Sequence, residues 1–202
     1  GNLLGAQQSG HISGVGFELY CHLLRQSIAR LKGEKAAKII RTNLRLDFIN
    51  VGRGEKIAKD NLSPGFAVIK EEELGDSRVG NIEAYIPSTY VPETRLRIDF
   101  YRQLAISVSP SNIKEIQEAL EDRFGPIPKP IKALLLVTEI RCLAEINSIL
   151  TVETEGDRLK CHRASGQRET FIKINGRFPR LTKKSPLPRL REIRTFLSKL
   201  RL

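Results

Sequence analysis

Two adjacent cysteine–histidine pairs are the residues whose types could bind a metal, Cys21-His22 and Cys161-His162. A structural zinc site needs ligands at spacings that let them converge, such as C-x₂-C, and adjacent pairs so far apart do not provide that spacing. Cys21 and Cys142 fall on or near the apolar faces of predicted helices, where a thiol behaves as a small hydrophobe. We therefore expect no metal site and interpret the cysteines as core or surface filler.

A group of carboxylates lies near the end of a short predicted helix and consists of Glu118, Glu121 and Asp122. Paired carboxylates can perform acid–base chemistry, but only in a cleft, which the sequence does not indicate. The sequence also contains no G-x-x-x-x-G-K-[ST] phosphate loop and no G-x-S-x-G serine, and Gly14-Val15-Gly16 lacks the third glycine of a dinucleotide fingerprint. We therefore expect no catalytic residue and no cofactor in this chain.

The same helix end could instead be a surface for contact. Helical spacing turns Phe124 inward with Leu120, while Asp122 and Arg123 project outward. Those two charged side chains could form local helix-end pairs worth about a few tenths of a kcal/mol. They could also be the polar centre of a docking surface. The residues alone favour the local pair.

The net charge of +11 is concentrated in the last quarter of the chain. Residues 157–202 contain 14 Lys and Arg against 3 Asp and Glu, whereas residues 1–156 contain 20 of each kind. Such a basic end can bind a phosphate backbone or an acidic partner. The alternative is a solvated surface balanced by acidic domains elsewhere in a longer chain. The aromatic residues of this stretch, Phe171, Phe178 and Phe196, are a weak basis for stacking single-stranded bases.

The totals indicate a soluble globular protein, because 40% of the 202 residues are hydrophobic and 28% are charged. The longest apolar run, Ala133–Val137, is far below the ~18 residues of a membrane helix. No signal segment opens the chain, and three widely spaced cysteines favour a reducing compartment, the cytoplasm. Because the chain starts at glycine and contains no methionine, we expect it to be a piece of a longer protein.

Proline and glycine positions between Ala84 and Pro128 predict two helices packed as a hairpin. Pro87 and Pro92 bracket an extended connector, after which a helix begins at about Glu93. Its inward residues are Leu96, Phe100, Leu104 and Val108, with Tyr101 beside them. Ser109-Pro110 begins the second helix and Gly125 ends it; its inward residues are Ile113, Ile116, Leu120 and Phe124. We expect the rest of the fold to be built around this pair.

The remaining pattern predicts an α+β fold, with a long N-terminal helix, the helical hairpin and short antiparallel strands in a compact C-terminal domain. A loop over residues 1–11 precedes a helix from about Ile12 to Gly33, and strands are predicted at 43–49, Phe66–Lys70 and Arg78–Ile86. Two alternating segments, SILTVET and RLKCHR, are predicted to form a β-hairpin with its turn at Glu155-Gly156-Asp157, and the strand Thr170–Ile174 ends at Asn175-Gly176. One further helix is predicted to start at Pro128, with inward residues Ile131, Leu134, Leu135, Thr138 and Cys142. The last helix is predicted to start at about Arg189, with inward residues Leu190, Ile193, Leu197 and Leu200.

Two sequence blocks together resemble the C-terminal part of the bacterial transcription-repair coupling factor family. LLGAQQSGHISGVGFELYCHLL, residues 3–24, is similar to the loop and helix that follow the last helicase motif. YIPSTYVPETRLRIDFYRQLA, followed by EDRFGPIP, is similar to the C-terminal domain, and RFPRLT and the final basic helix also fit. The resemblance implies residues 1–33 from the end of the translocase module, a strand-bearing connector over 34–83, and a C-terminal regulatory domain over 84–202. It is weakest over about residues 33–78.

The resemblance implies a non-catalytic segment of an ATP-dependent DNA translocase that releases stalled RNA polymerase and couples transcription to nucleotide excision repair. ATP, magnesium and ATP hydrolysis would belong to other parts of the parent protein, so the fragment itself would be no enzyme and would hold no cofactor. The implied partners are the N-terminal module of the same polypeptide, duplex DNA, RNA polymerase and excision-repair proteins, with no membrane.

The resemblance also implies two local roles. Gln8, Ser9 and Gly10 would couple nucleotide state to DNA movement, since a glycine-rich loop with amide and hydroxyl donors can approach a backbone and swing with it. Glu118, Glu121, Asp122 and Arg123 would form an autoinhibitory interface with the N-terminal module. The family pattern has a glutamate three residues before the aspartate, where this chain has Ala119. Given the resemblance, we prefer the interface hypothesis to the local pair.

Two other classes of function stay open on the residues alone. A stand-alone nucleic-acid-binding module would use the basic stretch Arg158–Arg201 and would bind duplex DNA with a steep salt dependence. An enzyme with an unrecognised site would require a deep pocket lined by titratable groups.

Overall fold

A computed structural model of the chain describes residues 42–51, 81–165 and 168–200. The elements in chain order are the strands β1 (Asn43–Arg45), β2 (Ile49–Val51) and β3 (Ile82–Ala84), the helices α1 (Thr94–Ile106), α2 (Pro110–Phe124) and α3 (Lys129–Ile146), the strands β4 (Ile149–Glu155), β5 (Arg158–Ser165) and β6 (Arg168–Phe171), and the helix α4 (Pro186–Lys199). The predicted α+β class is confirmed. The predicted loop 1–11, the helix 12–33 and the strand 66–70 lie outside the described residues. Within the described part of the chain, no helix is long and apolar enough to cross a membrane.

The core is organised around α3, which corrects the prediction that α1 and α2 are central. The run Ala133–Val137 covers the whole circumference of the helix, so α3 is buried on several sides, whereas α1 and α2 each have one apolar face. α3 packs against α1, α2, α4, β3 and β4. The predicted inward residues of α3 are all buried: Ile131, Leu134, Leu135, Thr138 and Cys142.

The predicted boundaries of α2 are confirmed by its caps. Ser109 is the N-cap and accepts a hydrogen bond from the backbone N–H of Asn112 at 3.4 Å, and Pro110 occupies the first helical position. Gly125 ends the helix with φ +83°, a conformation that a β-carbon disfavours. Ile113, Ile116 and Leu120 are buried and Phe124 is half-buried.

The prediction that Val108 points inward is wrong, because its side chain is 71% exposed. α1 ends at Ile106, and Ser107 is extended at ψ 127°, so helical spacing no longer applies two residues later. The hydroxyl of Ser107 donates to the carbonyl of Gln103 at 2.7 Å, which satisfies a carbonyl at the helix end.

The main sheet has the strand order β1-β4-β5-β6. β4, β5 and β6 are antiparallel, and Gly156, with φ +59°, lies in the predicted turn between β4 and β5. β1 pairs with β4 in parallel, and β2 pairs with β3 in parallel in a second sheet, so the antiparallel expectation fails for the two N-terminal strands.

The predicted single strand over residues 43–49 is divided because Asp47 forms a turn between β1 and β2. Its carboxylate accepts hydrogen bonds from the hydroxyl of Thr154 at 2.7 Å and from the backbone N–H of Gly156 at 2.9 Å. Phe48 is the second residue of this turn and is fully buried. The described portion of the predicted connector 34–83 therefore contributes to the same core as the C-terminal elements.

The C-terminal elements differ slightly from their predicted boundaries. β6 ends at Phe171, and the predicted tight turn follows, with φ +50° at Asn175 and +75° at Gly176. α4 begins at Pro186 rather than at about Arg189, because that proline occupies the first helical position. Leu190, Ile193 and Leu197 are buried as predicted, and Leu200 is half-buried.

Candidate docking surface

The four predicted interface residues lie on the last two turns of α2, and all four are exposed. Glu118 forms an ion pair with Lys114 at 3.5 Å, and Glu121 accepts a hydrogen bond from the amide of Gln117 at 3.4 Å. Both contacts run along the exposed face of the helix, where such pairs contribute little to stability. The two glutamates therefore keep their carboxylates accessible.

Asp122 and Arg123 do not form the local pair that the residues alone favoured. Among the described residues, no ion pair joins either side chain to another charged group. The guanidinium of Arg123 lies over the ring of Phe124, 5.4 Å from its centroid, which is within the range of a cation–π contact. The aspartate and the arginine thus present opposite charges side by side at an exposed helix end.

Three aromatic side chains pack together beneath the exposed end of α2 and fix its position. The ring of Phe124 lies 5.7 Å from that of Tyr90 and 6.2 Å from that of Phe100, in tilted and edge-on arrangements. The hydroxyl of Tyr90 donates to the carbonyl of Gly125 at 2.6 Å and also lies 3.1 Å from the carbonyl of Leu120. The carbonyl of Gly125 follows the last residue of α2 and has no partner within the helix itself, so the Tyr90 hydroxyl supplies one.

The connector between Pro87 and Pro92 positions Tyr90. Its backbone is not extended as predicted but forms a turn, since the N–H groups of Tyr90 and Val91 both donate to the carbonyl of Pro87. Arg97 of α1 donates to the carbonyls of Val91 and Pro92, each at 2.8 Å. The hydroxyl of Tyr101 accepts from the backbone N–H of Ile86 at 2.9 Å. The charged helix end is therefore attached to a fixed scaffold rather than to a loop.

Sequence reasoning missed the role of Tyr90, although a tyrosine between two prolines that restrict the backbone was a visible signal. Burial, together with the nearby carboxylate of Glu121, raises the pKa of Tyr90 above its ordinary value. The shift favours the protonated hydroxyl, which is the form that donates to the helix end.

The other residues singled out from the sequence do not form a second candidate site among the described residues. Gln8, Ser9 and Gly10 lie outside the described residues. Cys142 and Cys161 are buried, and the described ranges contain no group of three or more His, Cys, Asp or Glu residues that could hold a metal. Burial raises the pKa of the Cys161 thiol to about 12.

A groove of about 560 Å³ runs along the exposed face of α4, and its lining residues are Lys183, Pro188, Arg191, Glu192, Thr195, Phe196 and Lys199. The one carboxylate in that lining, Glu192, accepts hydrogen bonds from the backbone N–H groups of Thr182 at 2.9 Å and Lys183 at 3.1 Å. This carboxylate therefore holds the loop that precedes α4, and its hydrogen-bonding capacity is already used by that loop.

Known proteins resemble this chain over most of its length. The TRCF domain family matches residues 81–174. The transcription-repair-coupling factor of Mycobacterium bovis is 29% identical over 153 residues, which are 75% of this chain and 10% of that protein. The factor of Bacillus subtilis is 28% identical over 160 residues, which are 79% of this chain and 11% of that protein.

A solved C-terminal domain of a transcription-repair coupling factor gives a TM-score of 0.43 at 20% identity, covering 60% of this chain and 93% of that one. The chain spans about a tenth of the length of the curated relatives named above. Residues 81–174 therefore belong to the TRCF domain family, and the resemblance of this chain to transcription-repair coupling factors is confirmed.

Proposed function

We propose that this chain is a non-catalytic regulatory segment of a transcription-repair coupling factor, and that the end of α2 docks on the N-terminal module of the same polypeptide. Docking keeps the free protein repressed by covering the surface that recruits the excision-repair machinery. The observation that carries the proposal is the exposed pair Asp122 and Arg123, which has no ionic partner among the described residues and stands on a rigidly held helix end.

The geometry suits a docking surface for two physical reasons. The backbone at this helix end is fixed by Tyr90 and by the Phe124 ring, so little conformational entropy is lost when a partner binds. Charges of both signs, with Glu118 and Glu121 one turn away, allow a partner to be selected by complementary charge, which gives specificity more than affinity.

The parent protein, in this proposal, is an ATP-driven translocase on duplex DNA that releases stalled RNA polymerase and recruits nucleotide excision repair in the cytoplasm. ATP and magnesium bind in its other modules. In this proposal Gln8, Ser9 and Gly10 couple nucleotide state to movement along DNA. Replacing Gln8 and Ser9 by alanine in the full-length parent is expected to leave ATP hydrolysis measurable and to abolish displacement of a DNA triplex, a measure of translocation.

Charge reversal at the helix end tests the docking proposal. In the full-length parent, Asp122→Lys combined with Arg123→Glu replaces each attraction across the interface by a repulsion. Basal ATP hydrolysis and DNA binding in the absence of RNA polymerase are expected to rise by about tenfold. This factor corresponds to a loss of ~1.4 kcal/mol in the free energy of docking when the charge pairs across the interface are removed.

The matched control reverses two charges elsewhere in the domain. Glu139 of α3 and Arg194 of α4 form an ion pair at 3.1 Å, so Glu139→Lys with Arg194→Glu changes as many charges while keeping a local pair. This control is expected to leave basal activity unchanged. If the helix-end double variant also leaves basal activity unchanged, the end of α2 is not the autoinhibitory contact.

A further inference from the structure

The main sheet has one buried face and one face that carries polar and aromatic side chains. Strand register places Leu44, Val152 and Cys161 in one row toward the core. The neighbouring row crosses all four strands on the opposite face and consists of Asn43, Thr151, His162 and Phe171. We call this second side the outer face.

An aromatic cluster, His162, Phe171 and Phe178, lies at the β6 side of the outer face. The rings of His162 and Phe171 are 3.9 Å apart between centroids, and those of Phe171 and Phe178 are 5.2 Å apart and edge-on. Phe171 is nevertheless 43% exposed. A large aromatic ring that is packed against other rings and still half open to solvent is typical of a binding surface.

The cluster is built by an interruption in the edge of the sheet. The backbone N–H of Ile172 still donates to Cys161, but the chain then leaves the sheet in a small hairpin closed between Ile174 and Arg177. It rejoins β5 where the carbonyl of Pro179 accepts from the N–H of Leu159. The excursion carries Ile174, which is 52% exposed, beyond the sheet edge.

The charges around the cluster are mainly basic. Lys173 lies over the Phe178 ring at 5.4 Å, Arg177 is exposed in the same hairpin, and the next row of the outer face carries Arg45 and Lys160. Acidic residues also lie on this side among the described strands: Glu153 is opposite Lys160, Glu155 pairs with Lys160 at 2.7 Å, and the register places Glu169 two residues before Phe171 on the same face of β6. Residues 157–202 as a whole contain 14 basic and 3 acidic residues, so the surroundings attract an anion.

We propose that the outer face binds single-stranded nucleic acid, with a base stacked on Phe171 and the phosphates near Lys173 and Arg177. A sheet face with exposed aromatic rings and flanking cations fits this ligand, because every base offers a ring face and every linkage carries a negative charge. The bases of a duplex are stacked on one another, so none is available to stack on Phe171. An acidic peptide could pair with the cations but would leave the exposed ring without a stacking partner. The inference concerns a different surface from the end of α2 and does not depend on docking there.

The first measurement is fluorescence anisotropy of the 202-residue chain with labelled oligothymidylate of about 16 nucleotides, the upper end of single-strand site sizes. Phe171→Ala is expected to weaken binding by about tenfold, because loss of base–aromatic stacking accounts for that order of change. Val108→Ala is the matched control, since Val108 is 71% exposed and lies on the α1–α2 turn, away from the sheet. It is expected to leave the Kd unchanged.

The second measurement identifies the stacked base directly. The chain contains no tryptophan, so Phe171→Trp introduces a single tryptophan at the proposed contact, which can be excited selectively over the four tyrosines. Oligothymidylate is expected to quench its emission, whereas Val108→Trp is expected to show no quenching. Arg177→Gln should reduce the slope of log Kd against log salt by about 0.7, the value for one phosphate contact on a single strand.

Several outcomes would overturn the proposal. One is the absence of saturable oligothymidylate binding at low salt, and another is a Kd that Phe171→Ala leaves unchanged in a variant with the thermal unfolding of the parent chain. Equal affinity for a duplex of the same length would show binding by charge alone. Binding of polyglutamate, or self-association detected by light scattering, that is lost in Phe171→Ala would assign the face to an acidic protein or to a second copy instead.

Discussion

The guanidinium of Arg189 lies over the ring of Phe48, 4.6 Å from the ring centroid. Arg189 is only 3% exposed, and it donates to the carbonyls of Gly156 and Lys183. One side chain of α4 thereby joins the N-terminal segment 42–51, the turn between β4 and β5 and the loop before α4. Its Nε atom is buried without a hydrogen-bond partner among the described residues, so the arrangement depends on stacking and on the two Nη atoms.

Replacing this arginine is expected to destabilise the domain strongly. Arg189→Met should lower the free energy of unfolding by about 3 kcal/mol, because it removes the charged donor to the carbonyls of Gly156 and Lys183 and the cation stacked on Phe48. Arg189→Lys should restore little of that loss, since an ammonium lacks the planar fork. Urea unfolding followed by circular dichroism measures both, with the exposed Arg191→Met as the control. A lysine variant as stable as the parent chain would contradict this account.

The scaffold beneath the charged helix end can be loosened without touching a charge. Tyr90→Phe removes the donor to Gly125 and is expected to lower the free energy of unfolding by about 1 kcal/mol, the usual value of one such hydrogen bond. In the full-length parent it should also raise basal ATP hydrolysis, by less than charge reversal at Asp122 and Arg123 does. Tyr85→Phe, in a half-buried tyrosine before the connector, is the comparison. Loss of stability with no change in basal activity would separate the scaffold from regulation.

Glu192 predicts an acid-dependent loss of stability. Burial opposes ionisation of Glu192, but hydrogen bonds from Thr182 and Lys183 outweigh it and hold the pKa of this carboxyl below its ordinary value of 4.5. Its contribution to folding is therefore fully present above pH 4.5 and is lost as the pH falls through the lower pKa of the folded state.

Glu192→Gln should accordingly destabilise the chain by about 1–2 kcal/mol near neutral pH, because charge-assisted hydrogen bonds are replaced by neutral ones. The difference from the parent chain should shrink as the pH is lowered. Urea unfolding at a series of pH values provides the measurement. If the free energies of unfolding of Glu192→Gln and the parent chain differ by the same amount at every pH, the ionised carboxylate of Glu192 does not supply this stability.

The buried thiols are expected to resist modification. With a pKa of about 12, Cys161 is ionised in only about one molecule in ten thousand at pH 8, and the thiolate is the reactive form. Cys142 is also buried, and its thiol donates to the carbonyl of Ser107 at 3.2 Å. In a Cys21→Ser variant, Ellman's reagent should label neither cysteine in the native chain and both in guanidinium. Rapid labelling under native conditions would place Cys161 in a less protected environment than the core.

Local chemistry made part of the fold predictable. The caps Ser109 and Gly125, the turn at Gly156 and the turn at Asn175-Gly176 depend on residues within a few positions of each other, so the sequence pattern was sufficient. The parallel pairing of β1 with β4 was not predictable in this way. The contact between Asp47 and Thr154 that accompanies it joins residues 107 positions apart, and no local pattern encodes such a partner.

The same distinction applies to the two surfaces. Helical periodicity correctly directed Asp122 and Arg123 outward, but the support from Tyr90 and Phe100 arises from three segments that meet only in the folded chain. Phe171 and Phe178 looked too sparse for stacking when counted along the sequence. The hairpin between them brings the two rings together and β5 adds His162, so the number of aromatic residues understated their local density.

The parallel pairing of β1 with β4 also has a consequence for where this domain can be cut. The family match begins at residue 81, yet β1 and Phe48 precede it. A fragment that starts at residue 81 would expose the unpaired backbone of β4 along a sheet edge and would uncover the Arg189 stacking site. Unprotected edges of this kind recruit strands from other molecules, so such a fragment would aggregate where a longer one stays dispersed.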